Sequence, residues 1–298
     1  MWCTYSKSSR RKLANLNVSL SLVLGVLGVV PGPLHALGET PRVHEERAVL
    51  RPLNEEVLQA IKEMPTGGGY AVTRAAGIAL ARSISEGQNG TLVVDANVAQ
   101  PSYCSGATYL VLLKALKPEI DKIETSRRSQ VTNRLKVASQ IDGVGIWGRW
   151  NSNGPCMAVL FAESGMGTSF WDYDAALPGD FLKLWWKEPI GRDEAGHSVV
   201  FLGYGVTPEG ETGIEIWSSN KPTGYGKKVV PFSKIHHALF SRCEHPERVE
   251  NLLNLSERSE LLAGMLQRNI SYKEVNALIT NEWGGKSQPD KSLSKAIK

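Results

Sequence analysis

Cysteine is scarce in this chain, four in 298 residues, and neither Cys-x-x-Cys nor His-x-x-x-His occurs. That leaves none of the spacings on which a zinc site is normally built, and no metal or other cofactor is expected. Paired carboxylates do not stand out either. Charge of one sign is also lacking. Four of the 34 Lys and Arg residues fall in the first 36 positions, which hold no acid, so 30 remain against 30 Asp and Glu. A chain balanced in this way has no electrostatic grip on nucleic acid. The glycine run in Pro65-Thr-Gly-Gly-Gly69 is not followed by Lys-Ser/Thr and no clear strand precedes it, so it reads as a flexible turn and not a phosphate loop. No internal repeat is present.

What is there begins with a leader. Lys7, Arg10, Arg11 and Lys12 run into an apolar stretch from Leu13 to Val30 and then Pro31-Gly-Pro-Leu-His-Ala36. Charged, apolar and small-residue segments in that order mark a secretory signal peptide over 1–36, and the clean apolar core, Val18 to Val30, is short for a bilayer span. The expectation is an exported protein, periplasmic or extracellular, with no stable membrane insertion once the leader is removed. Cys3 leaves with it. In an oxidising compartment Cys156 and Cys243 are then available to pair, which makes Cys104 the odd thiol.

Cys104 sits in Gln100-Pro-Ser-Tyr-Cys-Ser-Gly-Ala107, and Tyr109, Leu110, Leu112, Leu113 and Leu116 follow at helical spacing. Pro101 and Ser102 do not continue a helix from upstream, so the helix begins close to the thiol. Unpaired backbone N–H groups and the positive end of the dipole favour a thiolate at such a place.

The rest of the chain supplies a frame. Residues 37–52 read as a linker. Asn54 caps a helix to about Glu63, and Thr73 opens another through Ile84. Pro118 to Gln140 is a charged helical segment whose arginines form a solvated face. Gly143 to Leu177 is dense in Gly, Trp and Asn; its Trp147 and Trp150 either line a groove for a ligand or plug a loop-rich core. Strands are expected over Phe181–Trp186, Ser198–Leu202 and Gly213–Trp217, with Gly203 and Pro208-Glu-Gly210 turning the chain into an antiparallel meander. Helices are expected again over Ser233–Phe240, Pro246–Leu253 and Ser256–Gln267, and Ser271-Tyr-Lys-Glu274 is a capping box for the last one. Residues 285–298 carry four lysines and no apolar face and read as a disordered tail.

A thiolate nucleophile needs a base that holds it ionised and protonates the leaving amine. His35 and His44 lie in or beside the leader and linker, His236 and His237 in an expected helix, and His245 at an expected cap. Only His197, after Gly196, opens a fully apolar strand. The imidazole needs a third group to fix its tautomer, for which Ser218, Ser219, Asn220 and Glu215 are candidates and Asn220 is preferred, because an amide oxygen accepts the N–H without adding charge.

Tyr103-Cys-Ser-Gly106 before an apolar helix, Pro178-Gly-Asp-Phe181, and Gly196-His-Ser-Val-Val-Phe-Leu-Gly203 together resemble the NlpC/P60 group of papain-like cysteine peptidases and its amidase relatives. The resemblance spans roughly residues 100 to 220. It implies an α+β fold in which N-terminal helices pack on a small antiparallel sheet over 53–232, with an insertion at about 117–177 and a helical C-terminal extension over 233–284. It places the nucleophile at Cys104 and the base at His197, and it suggests that Tyr103 or Gln100 helps hold the oxyanion. It departs from the family in having Tyr103 where an aspartate is common. The implied activity is a cysteine hydrolase that cuts an amide or peptide bond, with peptidoglycan stem peptides as the substrate. Two other readings stay open: a non-catalytic wall-binding protein that uses the Trp147 and Trp150 surface, and an acyltransferase that uses the same pair.

Overall fold

The computed structural model describes residues 52–281. The expected signal peptide, most of the linker and the expected tail lie outside the described residues. No helix among the described residues is long and apolar enough to cross a membrane.

The architecture is α+β. The strands are β1 (Gly67–Gly68), β2 (Ile84–Glu86), β3 (Leu92–Val94), β4 (Gly167–Phe170), β5 (Phe181–Trp185), β6 (Ile190–Gly191), β7 (Gly196–Val206), β8 (Thr212–Asn220), β9 (Gly224–Pro231), β10 (His237–Cys243) and β11 (Asn269–Ile270). The helices are α1 (Asn54–Lys62), α2 (Arg74–Arg82), α3 (Cys104–Lys122), α4 (Thr125–Leu135), α5 (Gly145–Trp150), α6 (Cys156–Ser164), α7 (Glu260–Gly264) and α8 (Tyr272–Asn281). Seven strands form one antiparallel sheet in the order β1-β9-β8-β7-β5-β10-β4, and two small ribbons pair β2 with β3 and β6 with β11.

Alternation along the strands gives the sheet two apolar faces. Phe181, Val200 and Trp217 join α1, α3, α5 and α6 in one core, where Leu110 and Leu113 of α3 are fully buried. Leu182, Val199, Phe201 and Ile216 belong to the other, which also gathers Phe170 of β4 and Val230 of β9. That cluster therefore runs across the sheet from β4 to β9. Burying each large aliphatic side chain of α3 contributes about 1.5–3 kcal/mol, so the helix that carries Cys104 is fixed along its length.

The meander of β5, β7 and β8 is as the sequence suggests, with β7 and β8 longer than expected. Several other expectations are corrected. The sheet is larger than a small meander, and the expected helix over Ser233–Phe240 is replaced by a short 3-10 turn and β10. That strand lies between β5 and β4, so the C-terminal segment completes the sheet and is not an appendage. Pro118 does not end α3, which runs on to Lys122. Of the helix expected over Ser256–Gln267 only α7 forms, because Val144 bridges to Arg258 and the Ser259 N–H bonds the Gly143 carbonyl, holding 256–259 extended. The insertion over 117–177 supplies α4, α5, α6 and β4, all packed into the body.

Two details decide local geometry. Asn54 does not cap α1; its amide instead donates to the Pro178 carbonyl at 3.0 Å and to Asp180 at 2.9 Å. Asp180 is fully buried and takes both arms of Arg242, at 2.8 and 2.7 Å, which fixes the turn feeding β5. The capping box is present: Ser271 Oγ accepts from Glu274 N–H while the Glu274 carboxylate accepts from Ser271 N–H.

Candidate active site

Cys104 is the first residue of α3, after Tyr103 in extended conformation. No side chain caps this helix start, so its first N–H groups remain open to an anion. The approach is held by Ser102, whose hydroxyl donates to Ser219 Oγ of β8 at 2.8 Å and whose N–H bonds the Gly69 carbonyl at 3.1 Å.

His197 is the second residue of β7 and pairs with Leu184 of β5. Val200 pairs with Trp217, and carrying that register back along β7 sets His197 opposite Asn220 at the end of β8. Their side chains meet: His197 Nε2 and Asn220 Oδ1 are 3.2 Å apart. The Asn220 amide is not free to turn, because its Nδ2 donates to the Gly226 carbonyl at 2.9 Å and to the Ser218 carbonyl at 3.3 Å. The oxygen therefore faces the ring, Nε2 carries the proton, and Nδ1 is left for the thiol.

The thiol of half-buried Cys104 faces the His197 side chain and the Ser198 N–H, and both act on it. Burial pushes its pKa up. The His197 side chain, the Ser198 amide and the more distant Lys183 ammonium outweigh that and lower it from 9.0 to about 7. The arrangement can present a thiolate near neutral pH, with an imidazole in contact to deliver the proton.

Of the other candidates for the third group, Ser218 donates to the Ser198 carbonyl at 2.8 Å and Ser219 is held by Ser102, so Asn220 alone reaches the ring. Tyr103 stands beside the thiol, its ring 6.3 Å from Trp147 and its phenol pushed up to about 12 by burial and the Cys104 charge. Gln100 lies against Gly68, where an added Cβ would sit 2.2 Å from its Oε1. Trp147 and Trp150 do not line a groove. Both are buried, and Trp150 donates from Nε1 to the Ser105 carbonyl at 3.1 Å, bracing the first turn of α3 from within. Their size is used to fill the space between α3, α5 and β5.

The expected bridge is likewise absent: Cys104, Cys156 and Cys243 are all free thiols, with the last two buried. Burial pushes both of those thiols up, to about 11 for Cys156 and still higher for Cys243. His237 opens β10 and His236 directly precedes it, not on a helix face, and His245 stands at the N-cap position of a 3-10 turn without a side-chain cap bond. Among the described residues no cluster of His, Cys, Asp or Glu could hold a metal ion.

Sequence reasoning missed Tyr70. The glycines before it are not a flexible turn: Gly67 and Gly68 pair with Tyr225 and Gly224 of β9, and Tyr70 bridges to Ser102. Gly224 has φ +92°, and a Cβ there would lie 2.1 Å from the Gly67 carbonyl, so glycine is needed for this close approach. The strap delivers Tyr70 over the site beside Cys104, and burial together with that thiolate pushes the phenol up to about 12. The only sequence signal was a tyrosine directly after three glycines.

Tyr70 divides the surface into two clefts. One, about 270 Å³, lies on the Cys104 side with Val72, Thr73, Ser105 and Asn151. The other, about 400 Å³, lies on the His197 side with Trp186, Asn220, Lys221 and Lys228. No protein-family model, curated protein or solved structure matches this chain.

Proposed function

We propose that the protein is an exported cysteine hydrolase of the NlpC/P60 kind that cuts an amide bond, with peptidoglycan stem peptides as its substrate. The observation that carries the reading is the relay from Cys104 through His197 to a clamped Asn220. In the reaction the Cys104 thiolate attacks the carbonyl carbon, and the C–S bond forms as the carbonyl electrons move to oxygen. The open N–H groups at the start of α3 and the Tyr70 hydroxyl are donors beside Cys104 that such an oxygen could use. Collapse breaks the C–N bond, and the amine leaves with the proton held on His197. Water, deprotonated by the same ring, then attacks the thioester, releasing a carboxylic acid and restoring the thiol.

Burial of Trp147 and Trp150 removes the surface on which a purely binding protein would have relied. The test is digestion of purified peptidoglycan by wild type and by Cys104→Ala. The variant is expected to keep its thermal transition and lose all digestion; undiminished release of stem fragments by the variant overturns the reading.

A further inference from the structure

Resting on the hydrolase reading, we infer that the clefts divide the substrate at the scissile bond, and that the His197-side cleft takes an amine fragment bearing a carboxylate close to the scissile nitrogen. The division follows from the reaction. The carbonyl carbon must reach Cys104 Sγ, and the departing nitrogen must reach the His197 imidazole that protonates it. The acyl portion therefore occupies the cleft of Thr73, Ser105 and Asn151, and the amine portion occupies that of Trp186, Lys221 and Lys228.

The two sides differ in charge. Apart from the nucleophile, everything lining the acyl side is uncharged, and Asn151 accepts from Ser105 at 2.6 Å, which leaves its Nδ2 to donate toward a substrate carbonyl. The amine side carries two lysines and no carboxylate. Lys221 and Lys228 are both exposed, and neither enters an ion pair among the described residues. Lys221 Nζ lies 5.4 Å from the centre of the Tyr70 ring, which draws it over the cleft. Lys228 projects from the same face of β9 as Val230, beside Asn220, whereas Lys227 points the other way. Two unneutralised ammonium groups at the mouth, with an apolar wall of Trp186 and Val230, suit a compact anionic group such as an amino-acid carboxylate.

The test uses two reagents that differ in one group, N-iodoacetylglycine and N-iodoacetylglycinamide. With either, Cys104 Sγ displaces iodide: the C–S bond forms, the C–I bond breaks, and its electron pair leaves on iodide. Rates at Cys104 are divided by rates with a small free thiol. At low ionic strength the carboxylate reagent is expected to react about fivefold faster or more, an advantage that added salt reduces. In Lys221→Met/Lys228→Met the normalised ratio should fall to about one, and in Lys227→Met it should persist. A ratio of one in wild type overturns the inference. So does a ratio that survives the double variant, which would assign the preference to the His197 ring. If both reagents label Cys104 no faster than an ordinary thiol, the hydrolase reading fails and the inference fails with it, an outcome told apart because both reagents share it.

Discussion

Among the described residues two helices begin with a cysteine just after a short extended or turn segment, and they end up chemically opposite. Cys104 opens α3 behind Tyr103, Cys156 opens α6 behind Pro155, and neither start is capped by a side chain. Both thiols feel the Lys183 ammonium. Yet Cys104 is lowered to about 7, whereas burial raises Cys156 to about 11, despite the opposing pull of the Met157 backbone N–H. A helix terminus and a nearby cation are therefore not enough to make a nucleophile. The difference lies in the His197 ring and in an opening to a cleft; Cys156 is 0% exposed and has neither. Its reading as an inert packing group follows from the same rules that activate its counterpart.

The comparison can be broken or sharpened in order of size. His197→Ala should reduce Cys104 to the standing of a helix-start thiol alone: turnover should fall by about a thousandfold, measured as kcat/KM. A smaller loss, on the order of tenfold to a hundredfold, is expected for Asn220→Ala, because the ring remains but loses its orientation. The pH dependence comes next. Cys104 should alkylate with half-maximal rate near pH 7, while Cys156 stays unlabelled in the native protein. Because the folded value lies below the ordinary 9.0, the thiolate contributes stability that is present above pH 9 and lost as pH falls through 7. Denaturant unfolding should show the gap between wild type and Cys104→Ser widening from pH 7 to 9. The smallest effect is expected for Cys156→Ala: activity within about twofold and a stability loss of about 1 kcal/mol, read from the denaturant midpoint. A large activity loss there would show that the two thiols are not separable.

Cys104, His197 and Asn220, which the structure brings together, were legible in the sequence because each depends on a local pattern: a thiol before an apolar helix, a histidine after glycine, a polar residue ending a strand. The sequence did not carry what is set by the far side of the sheet. Ala238, Leu239 and Phe240 are buried on both faces of a strand flanked by two others, so they form a continuous apolar run with no alternation to distinguish strand from helix. Trp147 and Trp150, next to turn residues, look the same in sequence whether they fill a core or floor a groove. Tyr70 was invisible because its position depends on pairing between Gly67–Gly68 and a strand more than 150 residues later.

That pairing also governs how a substrate can be held. The edge of the sheet beside Cys104 is two glycines long, and Gly67, Gly68 and Gly69 all have φ between +73° and +80°. Such a border offers no regular row of main-chain donors and acceptors onto which a further extended chain could zip. On the hydrolase reading, a substrate held at this rim would be gripped through its side chains and end groups, since no further strand can pair there.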